Sequence, residues 1–159
     1  MEETVKFEHY KLIRDQALAA CFAEGAPLPD PRQMHPVLLA YVGDIVFSLY
    51  VRLRLLATSG QVRVIHDLGA KMVSAVMQAR AMDALEAILS EEEAAVVRRG
   101  RNTKSTVPKS ATVREYRQGT AFEALVGWLF LLDRQERLVE ILDDSFGIIR
   151  KEISDRRTL

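Results

Sequence analysis

The sequence lacks several features that would define other classes of protein. Its 159 residues contain one cysteine, Cys21, so no internal disulfide can form. The three histidines, at positions 9, 35 and 66, show no metal-ligand spacing, and no HExxH, CxxC, GxGxxG or Walker-type pattern is present. The start of the chain is acidic without an apolar signal core, and no run reaches the ~18 apolar residues of a membrane span. We therefore expect a cytoplasmic protein with no membrane partner.

Glycine and proline, with eight and five residues, are scarce inside the long segments, while hydrophobic residues make up 48% of the chain. Apolar residues recur with a period near 3.6, and no clear strand alternation occurs, which predicts an all-α fold of about seven helices. The predicted helices are 6–23, 36–57, 61 or 66 to 80, 81–89, 90–101, 112–133 and 135–153. We expect one domain over 1–159, with 1–30 an N-terminal extension of helix and loop and 154–159 a frayed tail.

The charge balance is even overall but uneven along the chain. There are 22 basic and 22 acidic residues, yet residues 98–117 alone carry a local charge of +6. A concentrated positive segment on an otherwise acidic body favours contact with a polyanion such as nucleic acid. The alternative from charge alone is a solvated loop.

Two acidic residues stand alone in apolar surroundings. Asp44 is the only charge in the run from Val37 to Phe47, and Glu123 is the only charge in the run from Ala121 to Leu132. An isolated carboxylate out of water costs on the order of several kcal/mol unless something compensates it. Gly43 precedes Asp44, and Gly127 follows Glu123 by four residues.

Two such acids on core helices indicate a shared site with a hard cation between them. Mg²⁺ binds through one or two carboxylates, waters and substrate phosphate oxygens. With a basic segment to hold a nucleic-acid backbone, this combination predicts metal-dependent phosphodiester hydrolysis. The alternative is that each acid pairs with a buried arginine, such as Arg52 or Arg80, or reaches the surface.

The runs around both acids resemble a known family. Residues 39–47 resemble the signature helix of the ribonuclease III catalytic domain, and residues 122–131 resemble its second acidic motif. The chain is most similar to the Mini-III branch, which lacks the double-stranded-RNA-binding domain. Residues 73–75 with Gln78 and Ala79, residues 98–104 and residues 107–109 also look like that branch. The resemblance covers about residues 36–133.

The resemblance implies an all-α homodimer that cuts double-stranded RNA with Mg²⁺, for which Mn²⁺ could substitute. It implies 5′-phosphate and 3′-hydroxyl ends and a role in maturing 23S ribosomal RNA precursor stems. Asp44 would be the essential acid and a metal ligand, and Glu123 the second ligand. Gly43, Thr120 and Gly127 would support them. The residues expected to bind RNA are Arg98, Arg99, Arg101, Asn102, Lys104 and Lys109.

The match departs from full-length ribonuclease III at two positions. Ala40 and Thr120 stand where that enzyme has a further Glu and a further Asp. Mini-III sequences also lack these two carboxylates. We therefore expect a weaker cation site, with more of its shell made of water and phosphate. Two other functions stay open: a catalytically silent RNA-binding or ribosome-assembly member of the fold, and a helical protein–protein adaptor.

Overall fold

The computed structural model describes the backbone of residues 2–21, 27–104 and 106–157, with side chains from residue 11 onward except at positions 21 and 157. The chain is 77% helical with no strand in these ranges, which confirms the all-α prediction. The helices are α1 (Glu2–Cys21), α2 (Pro36–Leu55), α3 (Val62–Met72), α4 (Ala75–Leu85), α5 (Glu91–Arg101), α6 (Val113–Leu131) and α7 (Gln135–Arg157), with a short 3₁₀ turn at Glu86–Ile88.

The chain divides into two compact units, Met1–Gln33 and Met34–Leu159. The first unit contains α1, for which the sequence predicted a helix over residues 6–23. Residues 22–26, where this helix was predicted to end and a loop to begin, lie outside the described residues. The second unit contains α2 to α7 and every candidate site residue.

Helix α6 forms the centre of the second unit. It packs against α2, α4, α5 and α7, and its side chains Phe122, Leu125 and Leu129 are completely buried. Phe47 of α2 meets Phe122 edge to face, with ring centroids 4.8 Å apart. A helix that is apolar on nearly all faces must be covered on nearly all faces, and α6 is apolar in this way over its C-terminal half.

Polar caps set the start of the helices on either side of the basic segment. Ser90 and Glu93 form a reciprocal capping box at the start of α5, and Thr112 and Glu115 form another at the start of α6. The predicted starts at 90 and 112 are confirmed within a residue. The predicted loop between them contains Pro108 and is non-helical in its described residues.

The helix predicted to run to residue 80 is wrong, as is the separate helix predicted at 81–89. The chain breaks at Val73–Ser74, where the Ser74 hydroxyl accepts a hydrogen bond from the Met77 backbone N–H and caps a new helix. Helix α4 then continues to Leu85. At the other end, α7 remains helical to Arg157 where a frayed tail from 154 was predicted; residues 158 and 159 lie outside the described residues.

One described helix, α2, is long and apolar enough to cross a membrane by length and composition. Its mean hydropathy is 1.5 over the best window, of which 44% is buried inside the molecule. The core helix of a soluble protein passes the same test, so this is weak evidence for a membrane span. In the structure α2 packs against α6, and it carries Asp44 near its middle.

Candidate active site

Helices α2 and α6 cross at two glycines that stand beside the two acids. A Cβ built on Gly43 would overlap the Glu123 carbonyl oxygen and lie 2.8 Å from the Gly127 backbone nitrogen. A Cβ built on Gly127 would overlap the Leu39 carbonyl oxygen and lie 3.0 Å from the Gly43 nitrogen. The two backbones therefore touch directly. This close approach brings Asp44, which follows Gly43, next to Glu123, whose own backbone is part of the contact.

Burial and charge act together on Glu123. Removal from water raises the pKa of its carboxyl group, and the nearby Asp44 carboxylate raises it further, to about 7 from the usual 4.5. The Gln78 side-chain amide on α4 faces Glu123 and opposes the shift. Asp44 is close enough to add to the effect of burial, so the two carboxylates repel each other when both are ionised and the pair is unfavourable without a cation.

The alternative in which an arginine neutralises each acid is wrong for the described residues. Neither Asp44 nor Glu123 makes an ion pair with any described side chain. Arg80 is exposed and lies 3.8 Å from Glu152, while Arg52 is exposed on α2. The acids are also not on the open surface, because both are only partly accessible. No described side chain therefore neutralises either carboxylate.

The donor set fits a hard divalent cation that keeps much of its water. Two carboxylates are oxygen ligands of the kind Mg²⁺ prefers. No cluster of three or more metal-ligating side chains occurs in the described part of the chain. Ala40 is buried and offers no ligand, and the Thr120 hydroxyl donates to the Tyr116 carbonyl oxygen at 3.0 Å, which leaves its oxygen able to accept. Waters and substrate phosphates would therefore complete the shell.

The basic end of α5 lies against α6 close to the acid pair. A Cβ on Gly100 would lie 3.0 Å from the Ala121 Cα and 3.4 Å from the Thr120 carbonyl oxygen, so α5 approaches α6 within one turn of Glu123. A groove next to this contact is lined by Arg98, Arg99, Asn102 and Lys104, together with His35 and Pro36 at the start of α2. The basic segment therefore begins beside the acids.

The six residues expected to bind RNA are not equivalent in the structure. Arg98, Asn102, Lys104 and Lys109 are exposed. The Arg99 guanidinium donates to the Met34 carbonyl oxygen at 2.6 Å. Arg101 donates to Gln118 at 2.6 Å and also pairs with Glu86, so this side chain ties α5 to α6 and to the 3₁₀ turn.

Sequence reasoning missed Gln78 as a site residue. Residues 73–79 were noted only because they resemble the Mini-III branch. Gln78 is the only strongly polar side chain in the run from Ala75 to Ala79, and an isolated polar residue among apolar ones could have indicated a site, as it did for the two acids. The structure places it on the buried face of α4 against α6, with 1% of its surface exposed.

Comparison with known proteins agrees with this geometry. The family model described as Ribonuclease III domain matches residues 38–134, which include both acids and the basic segment. A Mini-ribonuclease 3 of Thermoanaerobacter sp. is 44% identical over 120 residues, covering 74% of this chain and 84% of the relative. A Mini-ribonuclease 3 of Brevibacillus brevis is 42% identical over 126 residues, covering 77% and 93%.

The fold has a counterpart among solved structures as well. A crystal structure of a Fusobacterium nucleatum protein superimposes with a TM-score of 0.70 at 29% identity, covering 79% of this chain and 99% of that one. Two helices crossing at paired glycines, each carrying a lone carboxylate, thus occur in a chain whose relatives are named as ribonucleases. The chain belongs to the ribonuclease III family, in its Mini-III branch, and is an endoribonuclease.

Proposed function

We propose that this endoribonuclease is Mg²⁺-dependent and hydrolyses double-stranded RNA, leaving 5′-phosphate and 3′-hydroxyl ends. The observation that carries the proposal is the close pair of carboxylates, Asp44 and Glu123, which no described side chain neutralises and in which the Glu123 pKa is raised to about 7. Such a pair is unfavourable in the free protein and favourable around a divalent cation. Mn²⁺, with the same charge and a similar preference for oxygen ligands, would substitute.

Asp44, Glu123 and Thr120 would have different roles in the reaction. Asp44 and Glu123 would hold the cation, which when bound supplies Lewis acidity and lowers the pKa of a coordinated water. Asp44 would also orient the attacking water. Thr120, one turn before Glu123, can accept a hydrogen bond from a water because its own proton goes to the Tyr116 carbonyl. By holding the cation and the water in place, Asp44 and Glu123 would orient the water toward the phosphodiester.

The catalytically silent alternative leaves the acid pair unexplained. A protein that only binds RNA gains nothing from two partly buried carboxylates that repel each other, and replacing them with apolar residues would stabilise the same helices. The adaptor alternative leaves the basic groove at Arg98 and Lys104 unexplained.

Removing the metal should stop cleavage without stopping RNA binding. We expect the purified protein to cut a long RNA duplex in Mg²⁺ or Mn²⁺ and to leave it intact in EDTA, while a single strand of the same sequence survives in both. Labelled product ends report the 5′-phosphate. A transcript containing a 23S precursor stem, compared with an unrelated duplex of equal length, tests whether rRNA precursors are the preferred substrate. Cleavage in EDTA, or binding of the duplex in Mg²⁺ or Mn²⁺ without cleavage, would contradict the proposal.

The exposed cations of the basic segment would hold phosphates that flank the cut. Lys104 and Lys109 are exposed, and double-stranded RNA is recognised largely by shape and by phosphate and 2′-hydroxyl contacts. We expect Lys104→Ala with Lys109→Ala to weaken duplex binding and to reduce the log–log salt slope by about two, since each lost phosphate contact reduces it by about one. The matched control is Lys151→Ala, an exposed lysine on α7. Unchanged affinity and slope in the double variant would remove the segment from the RNA interface.

An exposed apolar face on α2 supports self-association into a homodimer. Leu38, Tyr41 and Ile45 are 54%, 76% and 63% exposed, and they continue along one side of the helix to Leu49. A contiguous exposed apolar face marks an interaction site, and a second copy of the same face would make a closed two-fold contact. Asp44 directly precedes Ile45, so pairing would bring two acid pairs near one interface and allow each protomer to cut one strand. A single-copy mass in sedimentation would contradict the dimer.

A further inference from the structure

The side-chain amide of Gln78, beside the acid pair, has a buried N–H donor without a hydrogen-bond acceptor. Two buried side-chain donors in the described part of the chain lack any hydrogen-bond acceptor, the Nε2 of Gln78 and the Nε1 of Trp128. Trp128 lies under the Arg134 guanidinium, whose central carbon is 4.5 Å from the ring centroid, and so belongs to the packing of α6. Gln78 instead faces Glu123. A buried N–H without an acceptor is unfavourable, so we expect this group to gain a partner in the working state.

The packing of α4 on α6 holds the Gln78 side chain in place. Ser74 starts α4 and directs Gln78 inward. On α6, Gly119 lies one turn before Glu123, and a Cβ there would come within 3.2 Å of Gln78 Oε1. The glycine leaves the space that the amide occupies. The carbonyl end of the amide lies beside Gly119. Its buried Nε2 end has no acceptor in good hydrogen-bond geometry, and the amide is close enough to Glu123 to favour the ionised carboxylate.

We infer that Gln78 is a positioning residue of the acid pair. When the pair holds a divalent cation, Gln78 Nε2–H donates a hydrogen bond to one Glu123 carboxylate oxygen, which directs the other oxygen at the cation. This inference rests on the proposed metal dependence. Residues that orient a metal ligand in this way typically change metal affinity or activity 10- to 100-fold when they are removed.

Direct measurement of cation binding without RNA tests the role. We expect Gln78→Met, which keeps the length of the side chain and removes the donor, to raise the Mn²⁺ dissociation constant about tenfold. The melting temperature of the metal-free protein should stay level or rise, because a buried donor without an acceptor has gone. Mn²⁺ titration followed by electron paramagnetic resonance gives the constant, and thermal melts with and without Mn²⁺ give the stability.

A second buried glutamine provides the matched control. Gln118 on α6 donates to Asp83 at 2.7 Å and to Glu86 at 3.1 Å, and it accepts from Arg101. Gln118→Met should lower the melting temperature and leave Mn²⁺ affinity unchanged, the reverse of Gln78→Met. Gly119→Ala supplies a second variant, since the added methyl displaces the Gln78 amide without removing it, and should raise the dissociation constant severalfold.

The outcomes separate this inference from the function on which it rests. Wild-type Mn²⁺ affinity in Gln78→Met or in a folded Gly119→Ala would overturn the positioning role while leaving the metal site intact. A fall in the metal-free melting temperature of Gln78→Met as large as that of Gln118→Met would also overturn it, because the amide would then have a partner in the free protein. No saturable Mn²⁺ binding by the wild type would overturn the proposed metal dependence itself.

Discussion

Asp44→Asn is expected to lose at least about 100-fold in cleavage while making the metal-free protein more stable at neutral pH. Removing a ligand should reduce activity by no less than removing a residue that orients one. The same change removes a negative charge that raises the Glu123 pKa, so it relieves repulsion inside the folded state. Loss of activity together with a gain in stability distinguishes a functional acid from a structural one.

The sign of the stability change depends on pH in a defined way. The Glu123 pKa is about 7 in the folded protein and near 4.5 when unfolded, so between these values the folded state binds more protons. Stability therefore falls as pH rises through this window, by roughly 3 kcal/mol in total at 1.36 kcal/mol per unit. Burial is the larger cause of the raised Glu123 pKa, and the Asp44 charge is the second. Above pH 7, Asp44→Asn should therefore raise the free energy of unfolding by about 1 kcal/mol. Below pH 4.5, where Glu123 is protonated in both states, it should change nothing through Glu123.

Denaturant unfolding at pH 8 and pH 4 measures this difference. Mg²⁺ at pH 8 should stabilise the wild type and leave Asp44→Asn unaffected. The control is Asp67→Asn, an exposed acid on α3, which should match the wild type in cleavage and stability. Retained cleavage by Asp44→Asn, or a loss of stability at pH 8, would contradict the assignment of this residue.

Gly43→Ala is expected to cause a large loss of stability for the addition of one methyl group. Its Cβ would overlap the Glu123 carbonyl oxygen and crowd the Gly127 nitrogen at 2.8 Å. Both are backbone atoms of α6, which cannot move aside as a side chain can, so α2 and α6 would have to separate. Overpacking a core costs about 1–3 kcal/mol and occasionally more. We expect the overlap in Gly43→Ala to lower the free energy of unfolding by roughly 3 kcal/mol. The better helix propensity of alanine, worth about 1 kcal/mol, offsets only part of this loss.

Gly147→Ala provides the opposite result from the same substitution. Gly147 lies in α7, is exposed, and an added Cβ there would have no atom within 4 Å. Alanine there should stabilise the protein by up to about 1 kcal/mol. Thermal or denaturant unfolding of the two variants beside the wild type gives both values. If Gly43→Ala unfolds like the wild type, the direct backbone contact between α2 and α6 is not present in solution.

Local signals predicted much of the fold. Ser90 and Thr112 begin helices because their hydroxyls accept from backbone N–H groups one turn on, and this chemistry is readable in sequence. The break at Ser74 follows the same rule but lies inside an apolar pattern that continues on both sides, so periodicity concealed it. Charge along the sequence does not show which cations have partners: Arg101 lies in the basic run, and only the fold places Glu86 and Gln118 beside it. Its contact with RNA stays a prediction.

Sequence by itself determined which groups are costly in this protein: two acids in apolar helices, with a glycine near each. The cost of these two acids can be read from the apolar runs that surround them, because a buried charge is unfavourable in any fold. Tertiary structure decided how those groups are arranged. It brought residues 79 positions apart together at a backbone contact that only Gly43 and Gly127 permit, and it added Gln78 from a third helix. Partners across a core depend on how helices cross, and spacing along one chain does not encode the crossing.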